Sequence, residues 1–147
     1  MSENEQLEKD IEALNNKKNR SGSFDTSMML HAFWSMSSGV PAFDEGTVPK
    51  EEDVSHMFPR VTYSVSNAIF GDAATVTASI WDYSNSWTRV EQVKSRIASL
   101  LGTGGYCMRT DSGAMWITPG TPYMQRVKDD NDMVRRILIN VEVQPFQ

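Results

Sequence analysis

The sequence predicts an α+β fold: an α/β sandwich built on a mostly antiparallel, twisted sheet, with two main helices packed on one face and an N-terminal helical extension. Three observations carry that expectation. Residues 61–66 and 75–83 alternate apolar and polar side chains, the period of half-buried strands. The last third of the chain reads as strand throughout. Only two segments within residues 23–147 have helical spacing, and no strand–helix–strand repetition links them, so a doubly wound parallel sheet is not expected. A chain of 147 residues with 39% hydrophobic content has the length and composition of one soluble domain.

Residues 1–22 differ from the rest. They hold 9 of the 33 charged residues, and Leu7, Ile11 and Leu14 fall at i, i+4 and i+7 as a narrow helical stripe. Such a stripe is marginal alone in water. It is expected either to stay a solvated tail or to borrow an apolar partner from another chain. Residues 23–147 then form the domain.

The first helix of the domain is expected from a Thr26 or Ser27 cap to about Ser37, with Met29, Phe33, Trp34 and Met36 available to pack and Gly39 and Pro41 ending it. An extended, proline-punctuated connection follows. Between Val40 and Pro59 it carries Asp44, Glu45, Glu51, Glu52 and Asp53 against Lys50, and is expected to be an exposed acidic lobe. Val61, Tyr63 and Val65 then mark one strand, and Val76, Ala78 and Ile80 the next, with a turn at Gly71–Asp72.

Thr88 and Glu91 have the spacing of a capping box for the second helix, whose apolar face is Trp87, Val90, Val93, Ile97 and Leu101; Gly102 stops it. Arg89 and Lys94 lie on other faces of that helix and are expected to matter little to stability. Strands at 105–109 and 114–118 flank the turn Asp111-Ser112-Gly113. Strands at 122–127 and 133–143 flank the acidic turn that follows Lys128. Across that last turn Arg126 and Arg135 are expected nearly opposite one another. Two like charges so placed need acids nearby. Those are either Asp129, Asp130 and Asp132 or the Glu51, Glu52 and Asp53 lobe of an adjacent subunit.

The chemistry of an enzyme is nearly missing. His31 sits in an apolar helix and reads as a core or boundary residue, and His56 lies in the acidic connection. No His or Cys pair has metal-ligand spacing, and no cofactor motif is present. Gly102-Thr103-Gly104-Gly105 follows a helix rather than opening one, so it reads as a cap and turn, not a phosphate loop. Cys107, the single cysteine, reads as a small buried hydrophobe. There is no apolar run long enough for a membrane span, no signal-peptide core, and a net charge of -5 that argues against a general nucleic-acid binder. Contact material is in excess instead: nine Met, four Trp and ten other aromatics. Trp81 stands out because it falls on the Thr/Ser face of its strand, where either a helix or a partner must cover it.

Three stretches in one order carry a resemblance: Phe58-Pro59 to Tyr63, Ser79 to Trp87, and Gly120 to Arg126 followed by Asp129 to Ile137. Over residues 27–145 the chain resembles the tail-completion, or tail-terminator (head–tail joining), proteins of siphophages that infect Gram-positive bacteria. The resemblance implies an α/β sandwich and no catalysis. It implies a homohexameric ring that caps the tail tube and ends tail polymerisation. Its partners would be further copies of the chain, the tail tube protein, and a neck or head-completion protein below the portal. It implies assembly in the host cytoplasm and a place in the tail or neck region of the virion. Double-stranded DNA would pass without specific binding, and six such chains would carry a charge on the order of -30 that keeps it from sticking. The alternatives are a neck adaptor or head-completion protein of the connector and, less in keeping with the residues, a small enzyme or ligand-binding module. Candidate subunit or partner contacts are Arg126, Arg135, Arg136, Glu51, Glu52, Asp53, Trp81, Leu7, Ile11 and Leu14.

Overall fold

A computed structural model describes residues 4–9, 22–45, 57–66, 74–110 and 113–146. Helix α1 spans Gly22–Ser38 and helix α2 Thr88–Leu101, and a short helical segment covers 4–9. The strands are β1 (Ala42–Asp44), β2 (Arg60–Ser66), β3 (Ala74–Tyr83), β4 (Tyr106–Thr110), β5 (Gly113–Val127) and β6 (Val134–Phe146). They form one six-stranded sheet in the order β1-β2-β3-β6-β5-β4. Every neighbouring pair is antiparallel except β1 and β2. The fold is thus mixed, with more strand than helix.

Alternation decides which side chains enter the core. The register sets Val61 beside Ile80 and Ile80 beside Ile137, then Tyr63 beside Ala78 and Ala78 beside Ile139. These positions join Leu30, Phe33 and Trp34 of α1 and Val90, Val93, Ile97 and Leu101 of α2 in one buried cluster. Phe33 and Trp34 meet edge to face, with ring centroids 4.9 Å apart, a geometry that adds specificity to the apolar burial. Burial pushes the Tyr63 hydroxyl up to about 12, with the nearby Asp44 charge adding to the rise. The expected apolar face of α2 is present, with its four aliphatic residues buried and Trp87 half-buried.

Several elements differ from expectation. Helix α1 begins at Gly22, four residues before Thr26, so neither Thr26 nor Ser27 is its cap. The Thr88–Glu91 capping box does not form: Trp87 occupies the cap position without a side-chain cap bond. Instead the Ser86 hydroxyl accepts the Thr88 amide at 3.1 Å, and the Glu91 carboxylate turns to Arg126 and Lys94. A charge-assisted pair with two cations outcompetes a back-bond to one amide. Gly102 does end α2; its φ of +59° suits glycine, and its amide donates to the Ala98 carbonyl at 2.9 Å. His31 is exposed on α1 while Met29, Leu30, Ala32, Phe33 and Trp34 are buried. Cys107 is exposed as well, because on β4 it is the neighbouring Met108 that points inward.

The expected strands 114–118 and 122–127 are one strand, β5, with a shift of register between Pro119 and Met124. Pro119 and Pro122 have no amide hydrogen for the ladder, so pairing with β6 lapses and then resumes. The lapse is filled by Asn140, whose Nδ2 donates to the Pro122 carbonyl at 2.8 Å. Gly120 is buried there, and a Cβ on it would stand 2.9 Å from the Asn140 backbone oxygen. This bulge requires glycine for space rather than for torsion.

Candidate functional site

The sequence candidates fall into two groups around two tryptophans. Trp81 of β3 lies on the face opposite Val76, Ala78 and Ile80, as its alternation dictates. Its neighbours across the ladders are Arg60 and Arg136. The Arg136 guanidinium sits 4.6 Å from the Trp81 ring centroid, a cation–π distance, and its Nε donates to the Ser79 hydroxyl at 3.0 Å. Trp81 Nε1 donates to the Thr62 hydroxyl at 2.9 Å. Trp81, half-buried, is thus served by its own sheet. Further along the same face, Thr75 donates to Glu142 and Thr77 to Asn140.

The second group surrounds Trp87, at the start of α2. Arg126 stacks on the Trp87 ring at 4.5 Å and Arg135 at 5.3 Å. The two arginines are not directly opposite: Arg126 pairs with Ile137 in the ladder, so Arg135 is its diagonal neighbour on the same face. The turn between β5 and β6 is longer than the expected pairing required, which moves the register by two residues.

Neither arginine is neutralised by the acids of that turn. Among the described residues the carboxylate partner of Arg126 is Glu91, at 3.0 Å. Asp129 accepts the Asn131 amide instead. Arg135 donates to the Asn85 carbonyl at 3.1 Å, and its Nε is buried with no hydrogen-bond partner among the described residues.

Glu91 is the hub of this corner. Burial would raise its carboxyl, but hydrogen bonds from Arg126 and Lys94 prevail and hold it below the usual carboxylate range. Next to it Arg89 reaches Asp82, whose side chain has no exposure, at 2.8 Å. Arg89, expected to be indifferent, is therefore the cation that neutralises a buried carboxylate. Ser86, Trp87, Glu91, Gln92, Arg96 and Arg126 line a shallow groove along α2.

Leu7 is half-buried and packs against the main hydrophobic cluster of its own chain. Ile11, Leu14, Glu51, Glu52, Asp53, His56, the Gly71–Asp72 turn, and Asp111 and Ser112 lie outside the described residues. Among the described residues, no group of three or more His, Cys, Asp or Glu side chains is placed to hold a metal ion, and no helix is long and apolar enough to cross a membrane.

No protein-family model matches the chain, and no curated protein matches it. Among solved structures it is similar to a chain from one described as the virion of a native gene transfer agent particle. The two are 12% identical, the similarity covers 78% of this chain and 84% of that one, and the TM-score is 0.44.

Proposed function

We propose that this protein is a non-enzymatic structural component of a phage virion, a ring that caps the tail tube, ends its polymerisation and joins it to the neck. The reading rests on the sequence resemblance over residues 27–145. The observation in the fold that favours it is the corner at Trp87, where arginines outnumber the carboxylates that pair with them among the described residues. Such a corner suits a chain that contacts its own copies.

In this reading both main helices form one layer over the inner face of the sheet. The Trp87 corner, the outer face and the two sheet edges remain for the neighbours: further copies, the tail tube protein below and the neck protein above. The chain assembles in the host cytoplasm and resides in the virion, with DNA passing through the ring. No cofactor takes part.

The test is polymerisation of a tail tube protein from the same phage with and without the purified chain, followed by electron microscopy. The expected result is rings of the chain at tube ends and shorter tubes as its concentration rises. Tubes of unchanged length with bare ends would refute the capping role.

A further inference from the structure

The corner around Trp87 has an electrostatic imbalance within an acidic protein. Along α2 and the β5–β6 hairpin stand Arg89, Lys94, Arg96, Arg126 and Arg135; among the described residues the carboxylates that pair with this group are Asp82 and Glu91. Asp82 is taken by Arg89, and Glu91 is shared between Lys94 and Arg126. Arg96 and Arg135 donate to backbone carbonyls, those of Ser38 and Asn85. Asp129, Asp130 and Asp132 follow in the hairpin turn, yet the ion pairs of the described residues include none of them. Arg96 on the groove, and Arg135 on the Trp87 ring and opposite Asp82 in the ladder, thus make no ion pair among the described residues, while the chain as a whole carries -5.

The complementary feature is a run of acids in sequence that begins at Asp44 and Glu45, at the end of the edge strand β1. Residues 44–53, DEGTVPKEED, carry five acids and one lysine, and Asp44 and Glu45 are exposed where the segment leaves β1. In the strand order β1 is four places from β5, roughly 19 Å at the usual strand spacing. Complementary patches on different parts of one chain suit a heterologous contact, in which each copy offers its acids to the next copy's arginines.

We infer that the groove along α2, floored by Trp87 and rimmed by Arg96 and Arg126, with Arg135 beside it on the Trp87 ring, docks the acidic segment 44–53 of a second copy. The inference rests on the self-assembly proposed above and names the contact that drives it. In the isolated chain Glu91 holds the place of the incoming carboxylate on Arg126. Arrival of the segment releases Arg126 from Glu91 or adds a second carboxylate, while Trp87 keeps both guanidiniums at the end of the groove. Glu91 is then an internal competitor that tunes the strength of the contact.

Two measurements on the full-length chain decide this. The first is titration with a labelled peptide of residues 43–54. The second is mass by light scattering, with circular dichroism to confirm that each variant folds. Binding should weaken at least about tenfold in the Arg126→Glu, Arg135→Glu double variant and fall with added salt, because charge reversal at an interface is costly. Glu91→Gln should tighten it about threefold or more, the worth of freeing a partly exposed cation from its partner. A purely structural Glu91 would not give that effect.

Assembly should fail in the folded double variant and return in part when Glu51→Arg and Glu52→Arg are added. If the double variant assembles like the parent, the docking contact is wrong while the ring stands. If the parent stays monomeric, the ring reading falls, and the titration alone decides the groove: salt-sensitive binding that Glu91→Gln tightens supports it, and no binding overturns it.

Discussion

Trp81 and Trp87 are both covered by arginine, yet their surroundings differ in a way that separates finished surface from contact surface. At Trp81 the indole donates to Thr62 and Arg136 to Ser79. At Trp87, two guanidiniums share one ring and one carboxylate serves two cations. An aromatic on a polar face suggested Trp81 as the place for a partner. The geometry moves attention to Trp87, since leftover charge marks an interface better than an aromatic ring that is already served.

The largest expected effect concerns the core on which both tryptophans rest. Ile97 is fully buried between α2 and the sheet, and Ile97→Ala should cost about 2–5 kcal/mol in chemical denaturation. An effect below about 1 kcal/mol, less than such a deletion costs in a packed core, would mean that α2 and the Trp87 corner are not anchored as described.

Next comes the pair beneath that corner. Removing Arg89 leaves the Asp82 carboxylate buried and uncompensated, a loss of about 3–5 kcal/mol for a fully buried pair. The Arg89 side chain is half exposed, so Arg89→Ala is expected at the low end of that range or below it. Lys94 belongs to an exposed pair. Lys94→Ala should change stability by no more than about 0.5 kcal/mol. Equal midpoints for the two variants would contradict the burial of Asp82.

A smaller effect sharpens the contrast directly. Trp81→Phe keeps an aromatic ring for Arg136 but loses the bond to Thr62. The cost should be about 0.5 to about 1.5 kcal/mol, the net worth of one hydrogen bond, with no change in self-association. If Trp81→Phe abolishes assembly and Arg126→Glu does not, the roles of the two sites are reversed.

The smallest effect is in pH. Glu91 has a lowered folded pKa, so its contribution to stability is full above the unfolded carboxylate value of about 4.3 and is lost as pH falls through the folded value. The stability difference between the parent and Glu91→Gln should therefore be constant near neutrality and shrink below about pH 4. A difference that persists unchanged at still lower pH would deny the ion pairs to Arg126 and Lys94.

Alternation made much of this fold legible. Val76, Ala78 and Ile80 had to share a face, and so did Ile137, Ile139, Val141 and Val143; all of them are buried. The α2 stripe was equally plain, because Val90, Val93, Ile97 and Leu101 at helical spacing admit no other packing. The short strand β1 was not legible, as it has no period to read and exists only because β2 lies beside it.

Arg126 and Arg135 are neighbours, as the hairpin pattern predicts, but two residues out of the expected register, and the turn acids Asp129, Asp130 and Asp132 do not pair with them, because register and pairing both depend on the length of a turn. The capping box at Thr88–Glu91 is a local signal, whereas the tie of Glu91 to Arg126, 35 positions away, is not. Cys107 and His31 were placed by the character of their surroundings. Their exposure follows from single steps of alternation and helical phase that only the packing of β4 and α1 fixes.

The central claim is a chain that closes on itself by unlike patches, and its most direct test is the mass of the full-length protein in solution at low and moderate salt. One chain has a mass of 16.5 kDa. The expected result is a discrete assembly several times that mass, a hexamer if the resemblance holds in full, which loosens as salt rises. A single species at the mass of one chain, at every concentration and salt tested, would contradict it.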